Sequence, residues 1–157
     1  MAKPLNEFGG WLRFFQITNI IGTVFLIIVI ALSILSTVSL LITADYKEVV
    51  GMIVMTIDIT ITVGFTIMIL WNIKKKDEST PAKIRYYLLL ILIFSLVFLV
   101  IEIPVTNWIC DRKLSFINFQ YFQDAARSVI FCLIWMSYFK KSKRVSLYYN
   151  NRSLKAT

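Results

Sequence analysis

Four ionisable side chains stand inside long apolar stretches of this chain: Asp58, Glu102, Asp124 and Arg127. A charge at such a position is costly unless it faces other protein, meets a partner or lines a wet cavity. Three acids and one arginine define the chemistry on offer. Carboxylates gathered in such a place hold a proton or attract a cation, and an arginine beside them offsets part of their charge. Asp124 and Arg127 are three residues apart, so on a helix they share a face and can pair locally. Thr62 follows Asp58 by one turn and is placed to donate its hydroxyl to that carboxylate. Thr56, Thr60 and Thr66 make the same segment polar enough to favour protein neighbours over lipid. Pro104 withholds an amide from the carbonyl of Val100 and loosens the chain beside Glu102. Two readings stay open for the cluster: a structural ion-pair network that fixes packing, or a site for a proton, an ion or a polar solute.

Catalytic constellations are not expected elsewhere. The chain has no histidine, no glycine-rich phosphate loop and no HExxH pattern, so the sequence reads as a non-enzyme. Cys110 and Cys132 form no CxxC pair, which leaves neither a metal site nor a cofactor to expect. One falls in a loop and the other well inside an apolar run, so no disulfide between them is expected.

The elements that must hold the charged residues follow from composition. Hydrophobic residues make up 58% of the 157, against about 45–50% in a soluble domain, and they fall in four long runs. Crossing a hydrocarbon layer about 30 Å thick takes about 20 helical residues. The runs at about 17–43, 49–71, 86–108 and 119–139 meet that length, followed by a basic tail over 140–157. A transmembrane barrel would alternate polar and apolar residues, and these runs do not. The first run is too long for the apolar part of a cleaved signal peptide. The expectation is an all-α integral membrane four-helix bundle forming a single transmembrane domain over 1–157. Counted from the outer helix ends at 1.5 Å per residue, Asp58 lies roughly 14 Å deep, Glu102 roughly 9 Å and Arg127 roughly 12 Å. The fourth run is the least apolar, so the other three are expected to shelter its outer half.

Basic residues resist translocation, so their distribution orients the bundle. Lys3 and Arg13, then Lys74, Lys75, Lys76, Lys83 and Arg85, then Lys140, Lys141, Lys143, Arg144, Arg152 and Lys155 fall on one side. Only Lys47, Arg112 and Lys113 fall on the other. Thirteen against three puts both termini in the cytoplasm, N-in and C-in. Trp11, Trp71, Tyr86 and Tyr87 then mark the inner interface, and Tyr46 and Trp108 the outer one. The net charge of +8 is spent on topology and on anionic lipid at the cytoplasmic face, with no nucleic acid needed.

The chain ends carry short motifs. Gly9-Gly10-Trp11-Leu12 precedes the first run, and the last run reads Arg127-Ser128-Val129-Ile130, then Ile134-Trp135, Tyr138-Phe139 and Ser142-Lys143-Arg144-Val145. In these stretches the chain resembles a bacterial membrane-protein family catalogued as domain of unknown function 2569. It departs from that pattern at Ser137, where the family usually has proline, and at Leu147-Tyr148, where Thr-Phe is common. The resemblance implies a four-helix protein of the bacterial inner membrane and supplies no activity. The residues have a physical reading of their own: Gly9 and Gly10 turn the chain before Trp11 reaches the interface, while Trp135 and Tyr138 give the fourth run an aromatic inner end.

With no soluble domain and no catalytic set, the leading expectation is an accessory or scaffold protein that binds a membrane-protein partner or a second copy of itself. The alternative is a transporter or proton-coupled permease component working through Asp58, Glu102 and Arg127.

Overall fold

A computed structural model of the chain describes residues 8–43, 46–75, 77–110 and 119–150, and within them the only regular structure is helical. Lys3, Lys76, Arg112, Lys113, Arg152 and Lys155 of the charge distribution lie outside the described residues, as do the side chains of Cys110 and Asp124. The helices are α1 (Trp11–Thr43), α2 (Tyr46–Ile73), α3 (Thr80–Cys110), α4 (Phe119–Lys141) and a short α5 (Lys143–Asn150).

Local chemistry sets the helix ends. Gly10 adopts a φ of 57°, a left-handed conformation that glycine takes without a Cβ clash, and its carbonyl accepts the first amide of α1 from Phe14 at 3.0 Å. The turn into α3 is built by Asp77, whose carboxylate accepts from Ser79 N at 3.2 Å and Ser79 Oγ at 2.6 Å. Pro81 follows in the first turn of α3, where a missing amide costs nothing. Pro104 lies well inside α3, and the helix runs through it unbroken. Ser142 separates α4 from α5: its carbonyl accepts from Ser146 N at 3.1 Å.

Three of the helices are long and apolar enough to cross a membrane: α1 over Trp11–Ser39, α2 over Tyr46–Ile73 and α3 over Thr80–Ile109. Their mean hydropathies over the most apolar stretch are 2.7, 2.2 and 3.0. The 23 residues of α4 give a rod of about 35 Å, sufficient to cross, but its composition is too polar to place it with them.

Packing runs in chain order, with α1 against α2, α2 against α3 and α3 against α4, while α5 folds back to touch α3. Gly51 permits close approach at one end, since a β-carbon there would meet Ile109 Cδ1 at 2.5 Å. The best-buried core lies at the opposite end. Leu12 and Phe15 of α1, Ile69 and Ile73 of α2, Ile84 and Leu88 of α3, Cys132, Trp135 and Phe139 of α4 and Val145, Tyr148 and Tyr149 of α5 form one cluster. Five helices therefore meet where their basic flanks lie.

The expected shelter for α4 is not complete. Among the described residues α4 lies along α3 and reaches α1 through aromatic rings: Phe15 sits 4.5 Å from Trp135, 5.1 Å from Phe139 and 6.5 Å from Phe131, centroid to centroid. These contacts use only the first turns of α1 and the last half of α4. The reason is geometric, because α1 turns its small polar residues Asn19, Thr23 and Ser33 inward and packs along α2.

Candidate functional site

Asp58 and Glu102 come together. They line a cavity of about 240 Å³ between α2, α3 and α4, with Ser95 and Phe98 of α3 and Ala125 and Ser128 of α4. Asp58 Oδ1 is buried and has no hydrogen-bond partner among the described residues. A buried acceptor left without a donor costs about 1–3 kcal/mol, so the arrangement favours a proton, a water or a cation at that oxygen. Threonines on α2 supply little help: Thr56 donates to Met52 O at 2.7 Å, Thr60 to Thr56 O at 2.7 Å and Thr66 to Thr62 O at 2.8 Å, each within its own helix. Arg127 is exposed and does not line the cavity, although its neighbour Ser128 does. The side chain of Asp124 lies outside the described residues.

At the opposite end the motif residues of the two chain termini form a clasp. A β-carbon at Gly10 would sit 3.3 Å from Arg144 Nη1, so the glycine makes room for that guanidinium. Trp11 and Trp135 meet edge to face at 6.3 Å, and Trp135 meets Tyr138 at 5.6 Å. Gly9 is buried beside them. Ser142 precedes α5, its Oγ 3.5 Å from Val145 N.

Tyr149 completes this end and was not singled out from the sequence. Its hydroxyl donates to Ile73 O at 2.5 Å, capping the last carbonyl of α2 from a residue 76 positions away. Burial pushes its phenol well above the usual tyrosine range, and Tyr148 and Tyr138 nearby push it further. The signal was present in the spacing of Val145, Tyr148 and Tyr149, which puts three apolar side chains on one face of a single helical turn. Outside this core, Asp77 titrates at about 2, because the Ser79 hydroxyl and amide and the Lys83 ammonium all favour its charged form.

Aromatic side chains mark two levels. Trp11, Trp71 and Tyr86 are exposed near the clasp, with Lys75 Nζ 5.6 Å from the Trp71 ring. At the far end Tyr46 and Trp108 meet at 5.7 Å, and Lys47 Nζ lies 5.8 Å from the Trp108 ring. These are the pairs the sequence assigns to the two interfaces.

Both terminal motifs and the four runs between them fall within one family profile, described as "Protein of unknown function (DUF2569)", which matches residues 5–149. The chain belongs to the DUF2569 family. No curated protein and no solved structure matches it. The DUF2569 match takes in the clasp, the acidic cavity and α5 alike. The residues that carried the resemblance at the two ends of the sequence are thus neighbours in space: Gly10 with Arg144, and Trp11 with Trp135.

Proposed function

We propose that this DUF2569 protein is a non-enzymatic accessory or scaffold protein of the bacterial inner membrane, a four-helix bundle with both termini cytoplasmic, that binds a partner helix in the membrane. One observation carries the reading. Gln123, Arg127, Ile130 and Ile134 are all exposed, and their spacing of four, three and four residues puts them on one face of α4. This is the least apolar of the long helices, and Gln123 and Arg127 give its exposed face a polar half. Polar side chains in a membrane helix favour protein neighbours over lipid, so a second protein surface covers this face.

The test is a photocrosslinking residue placed at Gln123 or Ile134 in cells, followed by purification in a mild detergent. A discrete crosslinked species, either a second copy or one repeated partner, is the expected result. A clean monomer at both positions and in several detergents contradicts the proposal.

The acidic cavity favours a second reading, a permease component that moves protons or small cations. Two carboxyls share one cavity, and one of their oxygens is buried without a donor among the described residues. In reconstituted vesicles Asp58→Asn and Glu102→Gln would abolish flux while leaving the thermal unfolding temperature near that of the parent. Substitutions that only lower that temperature would make the cavity a packing feature.

A further inference from the structure

A second cavity lies at the clasp end, between the start of α3 and the end of α4. It measures about 310 Å³ and is lined by Arg85, Tyr86, Leu89, Met136, Ser137 and Lys140. We propose that it is a discrete binding site for one anionic phospholipid, with the phosphodiester between Arg85 and Lys140 and an acyl chain lying over Leu89 and Met136. The proposal rests on the reading that this end meets a membrane–water interface, and not on which side of the membrane that interface is.

Charge and satisfaction point to the headgroup. The lining has two cations and no carboxylate. Arg85 Nε is buried and has no hydrogen-bond partner among the described residues. A guanidinium donor withdrawn from water and left unpaired is costly, and a phosphate oxygen, which accepts from guanidinium with matching geometry, relieves that cost. Of the two acids nearest in sequence, Glu78 is exposed and Asp77 is engaged by Ser79 and by Lys83 at 3.3 Å, and neither lines the groove. Tyr86 at the rim and Ser137, nearly a turn deeper than Lys140, are both exposed and add hydroxyl donors. Phosphate is therefore the chemistry the rim recognises, and a zwitterionic headgroup brings its own cation toward Lys140.

Depth points to a lipid as the source. Leu89 lies one turn deeper than Arg85 along α3, and Met136 lies one turn deeper than Lys140 along α4. The groove is thus cationic at the rim and apolar beneath it on both walls. Exposed Tyr86, an interfacial aromatic, stands where headgroup meets hydrocarbon. Basic grooves of this kind between membrane helices are suited to anionic headgroups.

The test uses the full chain in mild detergent, with retained lipid counted by native mass spectrometry after adding phosphatidylglycerol or phosphatidylcholine. One phosphatidylglycerol is expected to be held preferentially. The double variant Arg85→Gln with Lys140→Gln is expected to weaken that binding by about tenfold or more, while Lys141→Gln with Lys143→Gln, equal in charge but outside the groove, changes it by less than about threefold. Lys140 is exposed, so Lys140→Glu tests the site without disturbing the half-buried Arg85 and must itself weaken binding. Equal losses in the two double variants would overturn the proposal in favour of diffuse surface charge. Inorganic phosphate that displaces the lipid and matches its stabilisation of the protein would overturn it in favour of a soluble anion. Failure of the α4 crosslinking leaves this measurement intact, because the groove and the α4 stripe are different surfaces.

Discussion

Gly10 and Tyr149 show how single residues tie the two ends of this chain together. At Gly10 the backbone is left-handed and Arg144 occupies the space a side chain would need. Gly10→Ala is therefore expected to destabilise the protein by about 1–2 kcal/mol, read as a lower thermal unfolding temperature in detergent. Tyr149→Phe keeps the ring and removes the donor to Ile73 O, and it should cost about 1–2 kcal/mol. The phenol also gives a pH signature. Its folded value is raised above the unfolded one, so its contribution is fully present below the ordinary tyrosine range and is lost as pH rises through the folded value. In an alkaline absorbance titration one tyrosine of the seven should ionise last and together with unfolding, and Tyr149→Phe should remove that step. Asp77 has the opposite sign: its value is depressed from 3.8 to about 2, so its contribution is present above 3.8 and is lost as pH falls toward about 2. The difference in unfolding temperature between the parent and Asp77→Asn should shrink on acidification.

At the scale of elements, α5 and α4 part from what their composition implies. The stretch from Lys140 on reads as a basic tail because Lys140, Lys141, Lys143 and Arg144 dominate its start, yet the first two end α4 and α5 buries Val145, Tyr148 and Tyr149 in the common core. Val145→Asp should cost about 3 kcal/mol or more by placing an unpaired charge there, whereas Ser146→Asp on the exposed side should stay within about 0.5 kcal/mol. Thermal unfolding of the pair checks this, and equal effects would mean that α5 is not docked. The four helical runs were legible because apolar length is a one-dimensional property, and counting depth grouped Asp58 with Glu102, which share a cavity, but also with Arg127, which does not line it. Other features were not legible. Whether α1 closes against α4 depends on which faces pack, and Asn19, Thr23 and Ser33 turn α1 toward α2. The groove at Arg85 and Lys140 joins residues 55 positions apart, and no local pattern connects them.

The whole molecule is asymmetric from end to end. One end is tightly packed by aromatic rings, carries most of the described lysines and arginines and holds the first terminal motif with the later part of the second, from Trp135 on. Toward the other end the bundle opens around an acidic cavity. That asymmetry suits a protein anchored at its basic face and able to receive something, a helix or a cation, from the side or from outside. It depends on α4 crossing the membrane even though it is the most polar of the long helices. Cysteine labelling with a membrane-impermeant maleimide decides this, in a background with Cys110→Ser and Cys132→Ala and single cysteines at Lys47, Ser79 and Asn150. Four crossings with cytoplasmic ends predict that Lys47→Cys is labelled in intact cells, while Ser79→Cys and Asn150→Cys react only after permeabilisation. Labelling of Asn150→Cys in intact cells, with Ser79→Cys still protected, would show three crossings and contradict the bundle proposed here.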